Sequence, residues 1–373
     1  MKNVVYKMIM YLFRIFPIKK NKIVIASFYG KGYGDSSKYI CDEIFKRQID
    51  FEIVWLVNDL NEKFPPNIKK VKYKSIRALY ELCTARIWID NSRKPIFVRK
   101  RKKQFYIQTW HSNLRLKKIE KDAEDYLLDS YVKQAINDSK MADAIIAGCD
   151  YSYNTIKNSF WYDGPIYKTG IPRCDELFDV SKQSISKIKK DIGIEEINHI
   201  FLYAPTFRNN MEVNLIDYDK LLKALRNTYA EDFVFLVRFH PISKQSIIGE
   251  KNLIDVTSYP NMQELIKISN ILITDYSGCM FDAAISRKKC ILYVPDLNDY
   301  ISKQRELYFK FGDLPFNLAY TQDELVDRIT NFNDKEYYDK LNGFLNLINS
   351  YEQGTSARKV VNMLEKVLNN EKI

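Results

Sequence analysis

The sequence predicts an α/β protein with two domains, each built on a parallel β-sheet. Short apolar runs rich in β-branched residues alternate with amphipathic stretches of helical period, which is typical of this class. The alternation occurs twice, on either side of a polar, lysine-rich stretch at residues 181–196. With 373 residues, the chain is long enough for two or three separate hydrophobic cores. We therefore expect two Rossmann-like domains that face a cleft.

The N-terminal segment has the pattern of an amphipathic helix. Asn3, Lys7 and Arg14 lie on one narrow stripe, apolar residues cover the rest, and Pro17 is followed by three lysines. Its apolar run is far shorter than the roughly 20 residues that span a bilayer. Residues 1–21 are therefore interpreted either as a helix on an anionic membrane surface or as a first helix packed on its own domain.

The predicted elements alternate along the rest of the chain, and the domain boundaries follow from them. We expect domains at residues 22–185 and 186–373, and a C-terminal helix that crosses back to the N-terminal domain. The predicted strands cover residues 22–28, 52–57, 86–90, 105–109, 143–147, 199–204, 233–238, 270–274 and 290–294. The predicted helices of the second half cover residues 217–229, 262–269, 278–287 and 355–368.

The composition restricts the classes of function. The chain carries 58 Lys plus Arg against 47 Asp plus Glu, a net charge of +11, with a basic run at residues 93–103. This excess favours a nucleic acid, an anionic membrane or a phosphate-bearing substrate as partner. The six cysteines are far apart and form no C-x-x-C pair, so the sequence predicts neither a zinc site nor a redox motif.

Candidate ligand-binding residues follow the predicted strands, because open α/β sheets bind ligands beyond the carboxyl ends of their strands. The loop at residues 28–39 contains Gly30, Gly32 and Gly34. Its glycine spacing differs from the dinucleotide-binding fingerprint. A glycine loop that opens a helix can hold an acceptor phosphate or a sugar hydroxyl, so Gly32 and Gly34 are candidate acceptor-binding residues.

His111 follows the predicted strand 105–109 and is one of three histidines in the chain. A neutral imidazole can remove a hydroxyl proton near pH 7. The nearby Arg115 and Lys117 can neutralise phosphate, so they are further candidate acceptor-binding residues. A histidine with only a structural role is the alternative. Its place at a strand end favours function.

Four polar residues follow two strands of the second half, namely Thr206, Arg208, Arg238 and His240. They supply hydroxyl, guanidinium and imidazole donors, and arginine binds phosphate in a bidentate manner. These residues predict a phosphate site in the second domain.

A further candidate anion site lies where the predicted strand 270–274 meets the next helix. Ser277 and Gly278 would begin that helix, whose unpaired N–H groups favour an anion. Asp275 is expected to orient its neighbours rather than to act as a base. No cluster of acidic ligands predicts a metal site.

Several of these strings together resemble a known family. TWHSNLRLKKI, YAPTFR, RFHP and ITDYSGCMFD occur in the order seen in the CDP-glycerol glycerophosphotransferase family of teichoic-acid synthesis. Residues 305–325 and 351–361 resemble the late and terminal motifs of that family. The resemblance covers most of the chain from about residue 22 and implies a bacterial protein with the GT-B fold.

The resemblance also implies a reaction and its participants. A polyol phosphate, in the first place glycerol phosphate, would pass from CDP-glycerol or CDP-ribitol to a hydroxyl of an undecaprenyl-diphosphate-linked saccharide, with release of CMP. The enzyme would be a peripheral protein at the cytoplasmic face of the bacterial membrane. His111 would be the general base and His240 a second catalytic candidate, while Thr206, Arg208, Arg238, Asp275, Ser277, Gly278 and Arg305 would surround the donor. No firm cofactor is implied, and the requirement for a divalent metal stays open.

Other functions stay open on the sequence alone. A GT-B glycosyltransferase that uses a nucleotide sugar would need the same fold and diphosphate site. A basic nucleic-acid-binding or membrane-binding protein without catalysis would explain the charge but not the histidines at two strand ends, so we expect no nucleic-acid partner. Glycerol or ribitol as the polyol, the priming, extension or decoration of a wall or capsular polymer, and the oligomeric state also stay open.

Overall fold

The computed structural model describes residues 2–206, 216–240, 251–303 and 306–372. It divides the chain into two compact units. The first unit comprises Met1–Asn113, Ile119–Asp175 and Ser350–Ile373, and the second comprises Leu114–Lys118 and Glu176–Asn349. The C-terminal segment thus belongs to the first unit, as the sequence predicts.

The first unit is built on a seven-stranded parallel sheet in the order β3-β2-β1-β4-β5-β6-β7. Its first six strands follow the order 3-2-1-4-5-6 of the Rossmann fold, and the last extends the edge. The strands are β1 (Lys19–Ala26), β2 (Glu52–Val57), β3 (Lys69–Lys72), β4 (Ala85–Asp90), β5 (Phe105–Gln108), β6 (Ala144–Ile146) and β7 (Ile166–Tyr167).

The helices of the first unit connect these strands and cover the sheet. They are α1 (Lys2–Leu12), α2 (Asp35–Lys46), α3 (Ile76–Thr84), α4 (Asp129–Ser139), α5 (Asp150–Ser159) and, from the end of the chain, α13 (Ser356–Asn369). The α13 helix packs on α2, and Asp175 accepts hydrogen bonds from the first two backbone N–H groups of α13, at 2.9 and 2.7 Å. These contacts attach the C-terminal helix to the first unit.

The second unit repeats the same topology with a six-stranded parallel sheet in the order β10-β9-β8-β11-β12-β13. The strands are β8 (His199–Ala204), β9 (Phe233–Val237), β10 (Leu253–Asp255), β11 (Ile271–Thr274), β12 (Lys289–Tyr293) and β13 (Asn317–Ala319). The helices are α6 (Lys182–Ile192), α7 (Tyr218–Tyr229), α8 (Met262–Ile268), α9 (Cys279–Ile285), α10 (Leu297–Lys303), α11 (Gln322–Thr330) and α12 (Asp334–Ile348). The predicted class of two Rossmann-like α/β domains is confirmed.

The strands that were not predicted from the sequence are all edge strands. All nine predicted strands are present, with ends within three residues of the prediction, whereas β3, β7, β10 and β13 form the sheet edges. Edge strands are short and face water on one side. The KKVK sequence of β3, for example, lacks the continuous apolar run of a buried parallel strand.

The first helix packs on its own unit through one face. Met10 is fully buried in the core cluster beneath α3, and the Tyr6 ring lies edge-on to Phe97 with centroids 5.0 Å apart. The Phe13 ring meets Tyr80 in the same manner at 5.7 Å. The face of the helix that carries Tyr6 and Met10 therefore packs on its own domain, which is one of the two interpretations of residues 1–21.

Part of the basic run serves the fold. Arg93 is buried and forms ion pairs with Glu120 at 2.5 Å and Asp138 at 3.2 Å. Lys94 is buried and pairs with Asp90 at 2.6 Å. These two cations neutralise buried carboxylates, so they are not available to an external partner.

A second buried ionic cluster lies at the start of β1. The buried carboxylate of Glu81 pairs with Lys22, with Lys69 at 2.9 Å and with Arg77 at 2.7 Å. Burial alone would raise the pKa of Glu81, but the hydrogen bonds from these cations outweigh it and lower the pKa to about 2. Glu81 is therefore ionised in the folded protein at neutral pH.

Because the folded pKa of Glu81 lies below its ordinary value of 4.5, its ionisation contributes stability above pH 4.5 that is lost as the pH falls towards 2. We expect Glu81→Gln to lower the free energy of unfolding by about 3–5 kcal/mol at pH 7, since it leaves buried Lys22 with only its longer ion pair to Glu52, at 3.9 Å. Urea denaturation at pH 7 and pH 3 measures both effects.

The matched control is Glu365→Gln, which removes a half-exposed ion pair with Arg47 in the same unit. It should cost less than about 1 kcal/mol. An equal loss for both variants, or a loss for Glu81→Gln that is the same at both pH values, would contradict the assigned role.

Candidate functional site

The strand order determines where functional residues collect in each unit. In both sheets the first and fourth strands are neighbours, β1 with β4 and β8 with β11, and the connections diverge from this point. Loops beyond the carboxyl ends of such strands bind the ligands of open α/β sheets. Candidate residues are therefore expected in each unit at this switch point, the place where the strand order reverses.

In the first unit, His111 is exposed and follows β5. Its Nδ1 lies 3.0 Å from the backbone oxygen of Asn91, the residue that follows β4. A carbonyl oxygen only accepts, so Nδ1 donates this hydrogen bond and the neutral ring carries its lone pair on Nε2. This tautomer is the one that a general base acting through Nε2 requires.

Trp110 holds the imidazole ring of His111 in place. Its backbone has a φ of +54°, which is strained for a bulky residue. Its ring stacks on His111 with centroids 4.5 Å apart, and the Arg93 guanidinium lies 5.0 Å from its ring centroid. The backbone N–H of Trp110 donates to Oε1 of Gln108 at 2.9 Å. The buried ion pairs of Arg93 therefore support the surface on which His111 rests.

The glycine loop after β1 is fastened to the same residue that holds His111. Oδ1 of Asn91 accepts from the backbone N–H of Phe28 at 2.8 Å, and the side chain of Asn58 donates to the carbonyl of Tyr29 at 2.9 Å. Phe28 and Tyr29 have φ values of +42° and +59°, and Gly30 follows at +91°. Asn91 thus couples the loop after β1 to the loop after β5.

The predicted acceptor residues of this loop lie in the same unit as His111. Gly32 has a φ of +72°, which an L-residue with a side chain adopts only under strain. Gly34 is the N-cap residue of α2. Only Gly32 is required by the path of the loop, because Gly34 has an extended backbone that any residue adopts. The role of both glycines toward an acceptor stays a prediction.

In the second unit, Asp275 organises the loop that carries Thr206. Asp275 follows β11 and is buried, and its carboxylate accepts from the backbone N–H of Thr206 at 2.9 Å and from its hydroxyl at 3.0 Å. It also accepts from the backbone N–H of Tyr276 at 2.6 Å. Asp275 therefore orients Thr206.

Ser277 and Gly278 lie between this carboxylate and α9. The Ser277 hydroxyl accepts from the backbone N–H of Cys279 at 3.4 Å, and Gly278 is the N-cap residue of the helix. The helix begins one residue later than the sequence predicts and is seven residues long. The loop from Asp275 to Gly278 thus follows β11 directly.

Arg238 follows β9 and is partly buried. Its backbone N–H donates to the carbonyl of Tyr203 at 2.8 Å, and its Nη2 donates to the carbonyl of Tyr259 at 3.0 Å. Burial lowers the pKa of Arg238, but arginine remains a cation at neutral pH. His240 lies two residues further along and is exposed, whereas Arg208 and Arg305 lie outside the described residues.

Arg115 and Lys117 lie in the second unit, not in the unit that contains His111. Lys117 forms an antiparallel bridge with Leu307, and its ammonium lies 5.0 Å from the ring centroid of Tyr300. Arg115 is buried. The four candidate acceptor residues are therefore divided, with the two glycines in one unit and the two cations in the other.

Sequence analysis missed Asn91 and Glu352. Asn91 directly follows a predicted strand, but the neighbouring basic run hid this signal. Glu352 accepts from the side chain of Asn113 at 3.2 Å and from the backbone N–H of Ile171 at 3.0 Å, and so holds the loop that follows His111. These contacts join segments far apart in the chain, which no local pattern indicates.

The described part of the chain contains no group of three or more His, Cys, Asp or Glu residues placed to hold a metal ion. Within the same residues, no helix has the length and apolar character needed to cross a membrane.

Comparison with known proteins identifies relatives along the whole chain. The chain is 28% identical to the teichoic acid poly(glycerol phosphate) polymerase of Bacillus subtilis over 97% of its length, although it spans only about half (51%) of that protein. It is 26% identical to the polymerase of the same name from Bacillus spizizenii, over 96% of both chains.

Solved structures of the wall teichoic acid polymerase TagF share the fold. The TM-score is 0.88 at 26% identity, over 99% of this chain and 96% of the other. One of these structures is of a variant soaked with CDPG. The expectation of a GT-B fold is confirmed by this match.

The family described as CDP-glycerol:poly(glycerophosphate) glycerophosphotransferase matches residues 8–366, nearly the full length of the chain. This agrees with the resemblance carried by the strand-end motifs around His111, Thr206, Arg238 and Ser277. The chain therefore belongs to the CDP-glycerol:poly(glycerophosphate) glycerophosphotransferase family.

Proposed function

We propose that this protein transfers glycerol phosphate from CDP-glycerol to a hydroxyl group of a lipid-linked saccharide, with release of CMP. The observation that carries the proposal is the hydrogen bond from Nδ1 of His111 to the carbonyl of Asn91, on an exposed imidazole at a strand end. Family membership supplies the donor, because CDP-glycerol stands in the family's description.

His111 acts on the acceptor as the general base. Its Nε2 takes the proton of the acceptor hydroxyl while that oxygen attacks the β-phosphorus of CDP-glycerol. A new P–O bond forms to the acceptor, the P–O bond to the bridging oxygen breaks, and CMP leaves with the electron pair. Proton removal of this kind contributes about 10²–10⁴-fold to a rate, and stacking on Trp110 keeps the ring oriented for it.

The second unit holds the donor. Arg238 supplies a desolvated cation, whose charge-assisted hydrogen bonds to phosphate oxygens are stronger than those of an exposed arginine. Thr206 donates its hydroxyl hydrogen to Asp275, so toward the donor its hydroxyl oxygen can only accept a hydrogen bond. His240 is the candidate proton donor or phosphate ligand beside them. Catalysis then rests on positioning and charge stabilisation, as in other phosphoryl transfers.

The exposed face of the N-terminal segment fits an anionic membrane surface. Leu12 and Ile15 are 66% and 81% exposed, and Val4, Met8 and Tyr11 also face solvent. This apolar strip lies opposite the packed face with Met10, and exposed lysines follow it in the chain. An apolar face combined with nearby cations is the pattern of an interfacial helix. The face would bring the protein to a lipid-linked acceptor.

The proposed base is tested by His111→Ala. We expect the rate of CMP release from CDP-glycerol in the presence of acceptor to fall about 10²–10⁴-fold, with the Kd for CDP-glycerol unchanged because His111 acts on the acceptor. His199→Ala is the matched control, since His199 stands at the start of β8 and packs on Tyr229. Near wild-type turnover of His111→Ala would remove the mechanism.

The donor role of Arg238 is tested by titration with CDP-glycerol, CDP-ribitol and UDP-glucose. We expect Arg238→Ala to raise the Kd for the preferred donor roughly 10- to 100-fold, because charge-assisted hydrogen bonds to the diphosphate are lost. Arg328→Ala, an exposed arginine on α11, should leave it unchanged. Tighter binding of UDP-glucose than of either CDP-polyol would instead support a nucleotide-sugar glycosyltransferase.

Membrane binding is tested on the exposed face alone, because deletion of α1 would also uncover the core around Met10. We expect the double variant Leu12→Ser and Ile15→Ser to lose flotation with phosphatidylglycerol vesicles, while its thermal stability stays near that of the wild type. Leu128→Ser removes an exposed leucine elsewhere in the same unit and should float normally. Unchanged flotation of the double variant would contradict this surface.

A further inference from the structure

We propose that Phe28 and Tyr29 form an aromatic surface that binds a pyranose ring of the acceptor beside His111. This inference rests on the proposed function, in which His111 acts on an acceptor hydroxyl, and it adds the chemical class that the neighbouring surface recognises. Neither residue is among the candidates that sequence analysis produced.

The Phe28 side chain is exposed next to the proposed base, and the partly exposed Tyr29 follows it in the chain. Phe28 and Tyr29 are 37% and 41% exposed, in a loop that follows the fully buried Ser27. The Phe28 ring centroid lies 6.0 Å from that of His111, and the imidazole is itself exposed. A molecule that contacts the Phe28 ring is thus within reach of the imidazole.

The backbone places these rings at an energetic cost. Phe28 and Tyr29 both have positive φ values, and such conformations cost about 1–3 kcal/mol each for residues with bulky side chains. Glycine would adopt them without strain, as Gly30 does in the same turn. The backbone conformation alone therefore does not favour aromatic residues at these two positions.

The two switch points indicate which position of the loop faces a ligand. In the second unit, the residue after the fourth strand, Asp275, accepts from the backbone N–H of Thr206, the second residue after the first strand. In the first unit, Asn91 accepts from the backbone N–H of Phe28 at the same offsets. Phe28 thus occupies the position that corresponds to Thr206, the proposed donor ligand of the other unit.

The chemistry of the surface favours a sugar ring over a phosphate. The faces of aromatic rings carry the negative part of a quadrupole and repel anions. The C–H groups of a pyranose are apolar and carry a small positive charge, so one face of the sugar can pack on a ring while its hydroxyls stay available. A pyranose packed on Phe28 would have hydroxyls near His111.

The experiment measures binding and does not depend on catalysis. Methyl β-glucopyranoside and its 2-acetamido analogue are titrated into the protein and followed by NMR, with methyl phosphate as a second probe. We expect Phe28→Gly to raise the Kd of the preferred pyranoside roughly tenfold, as loss of an aromatic anchor does. The Kd of methyl phosphate and of CDP-glycerol should stay constant.

Phe28→Gly tests binding with little effect on folding, because relief of the strained positive φ offsets the lost ring contacts and the greater freedom of glycine in the unfolded chain. The melting temperature should stay near that of the wild type. Phe28→Tyr keeps a ring and should restore pyranoside binding. Tyr126→Gly, at an exposed tyrosine of the same unit, should leave the pyranoside Kd unchanged.

Each result decides between the alternatives. An unchanged pyranoside Kd in Phe28→Gly, no pyranoside binding by the wild type, or an equal loss for methyl phosphate would overturn the aromatic surface. If pyranoside binding depends on Phe28 but the wild type releases no CMP from CDP-glycerol, the surface stands and the proposed transferase function fails.

Discussion

Both switch points depend on one kind of hydrogen bond. A side chain immediately after the fourth strand accepts from the backbone N–H of the second residue after the first strand, as Asn91 does for Phe28 and Asp275 for Thr206. Parallel strands leave the backbone groups of their end loops without ladder partners, and buried N–H groups need an acceptor. These two side chains supply it, and the loops that carry the candidate ligand-binding residues are thereby fixed.

The two units use this contact for different chemistry. In the first, the carbonyl of Asn91 also accepts from Nδ1 of His111, so one residue sets the tautomer of the imidazole and the path of the aromatic loop. In the second, a buried carboxylate is stabilised by donors from Thr206 and Tyr276, and the hydroxyl of Thr206 is oriented. The amide of Asn91 is neutral, whereas the carboxylate of Asp275 needs several donors to offset its burial.

Ionic clusters support this arrangement from beneath the surface. The guanidinium of Arg93 lies against the ring of Trp110 and forms ion pairs with Glu120 and Asp138. The strained Trp110 therefore packs on a cation whose charge is neutralised by buried carboxylates. The basic run of the sequence therefore serves packing at its start, while the net charge of the chain remains positive. The total charge of a chain indicates a class of partner, but only the cations that are not buried can contact that partner.

The sequence by itself determined the class, the nine inner strands and the strand-end residues around His111, Thr206 and Ser277, because hydrophobic period and chain order are local properties. The tertiary structure alone revealed the edge strands, whose short half-exposed sequences carry weak signals, and the roles of Asn91 and Glu352. It also showed that Arg115 and His111, which are four residues apart in the chain, belong to different units. Such relations arise from the pairing of distant segments, which no local pattern encodes.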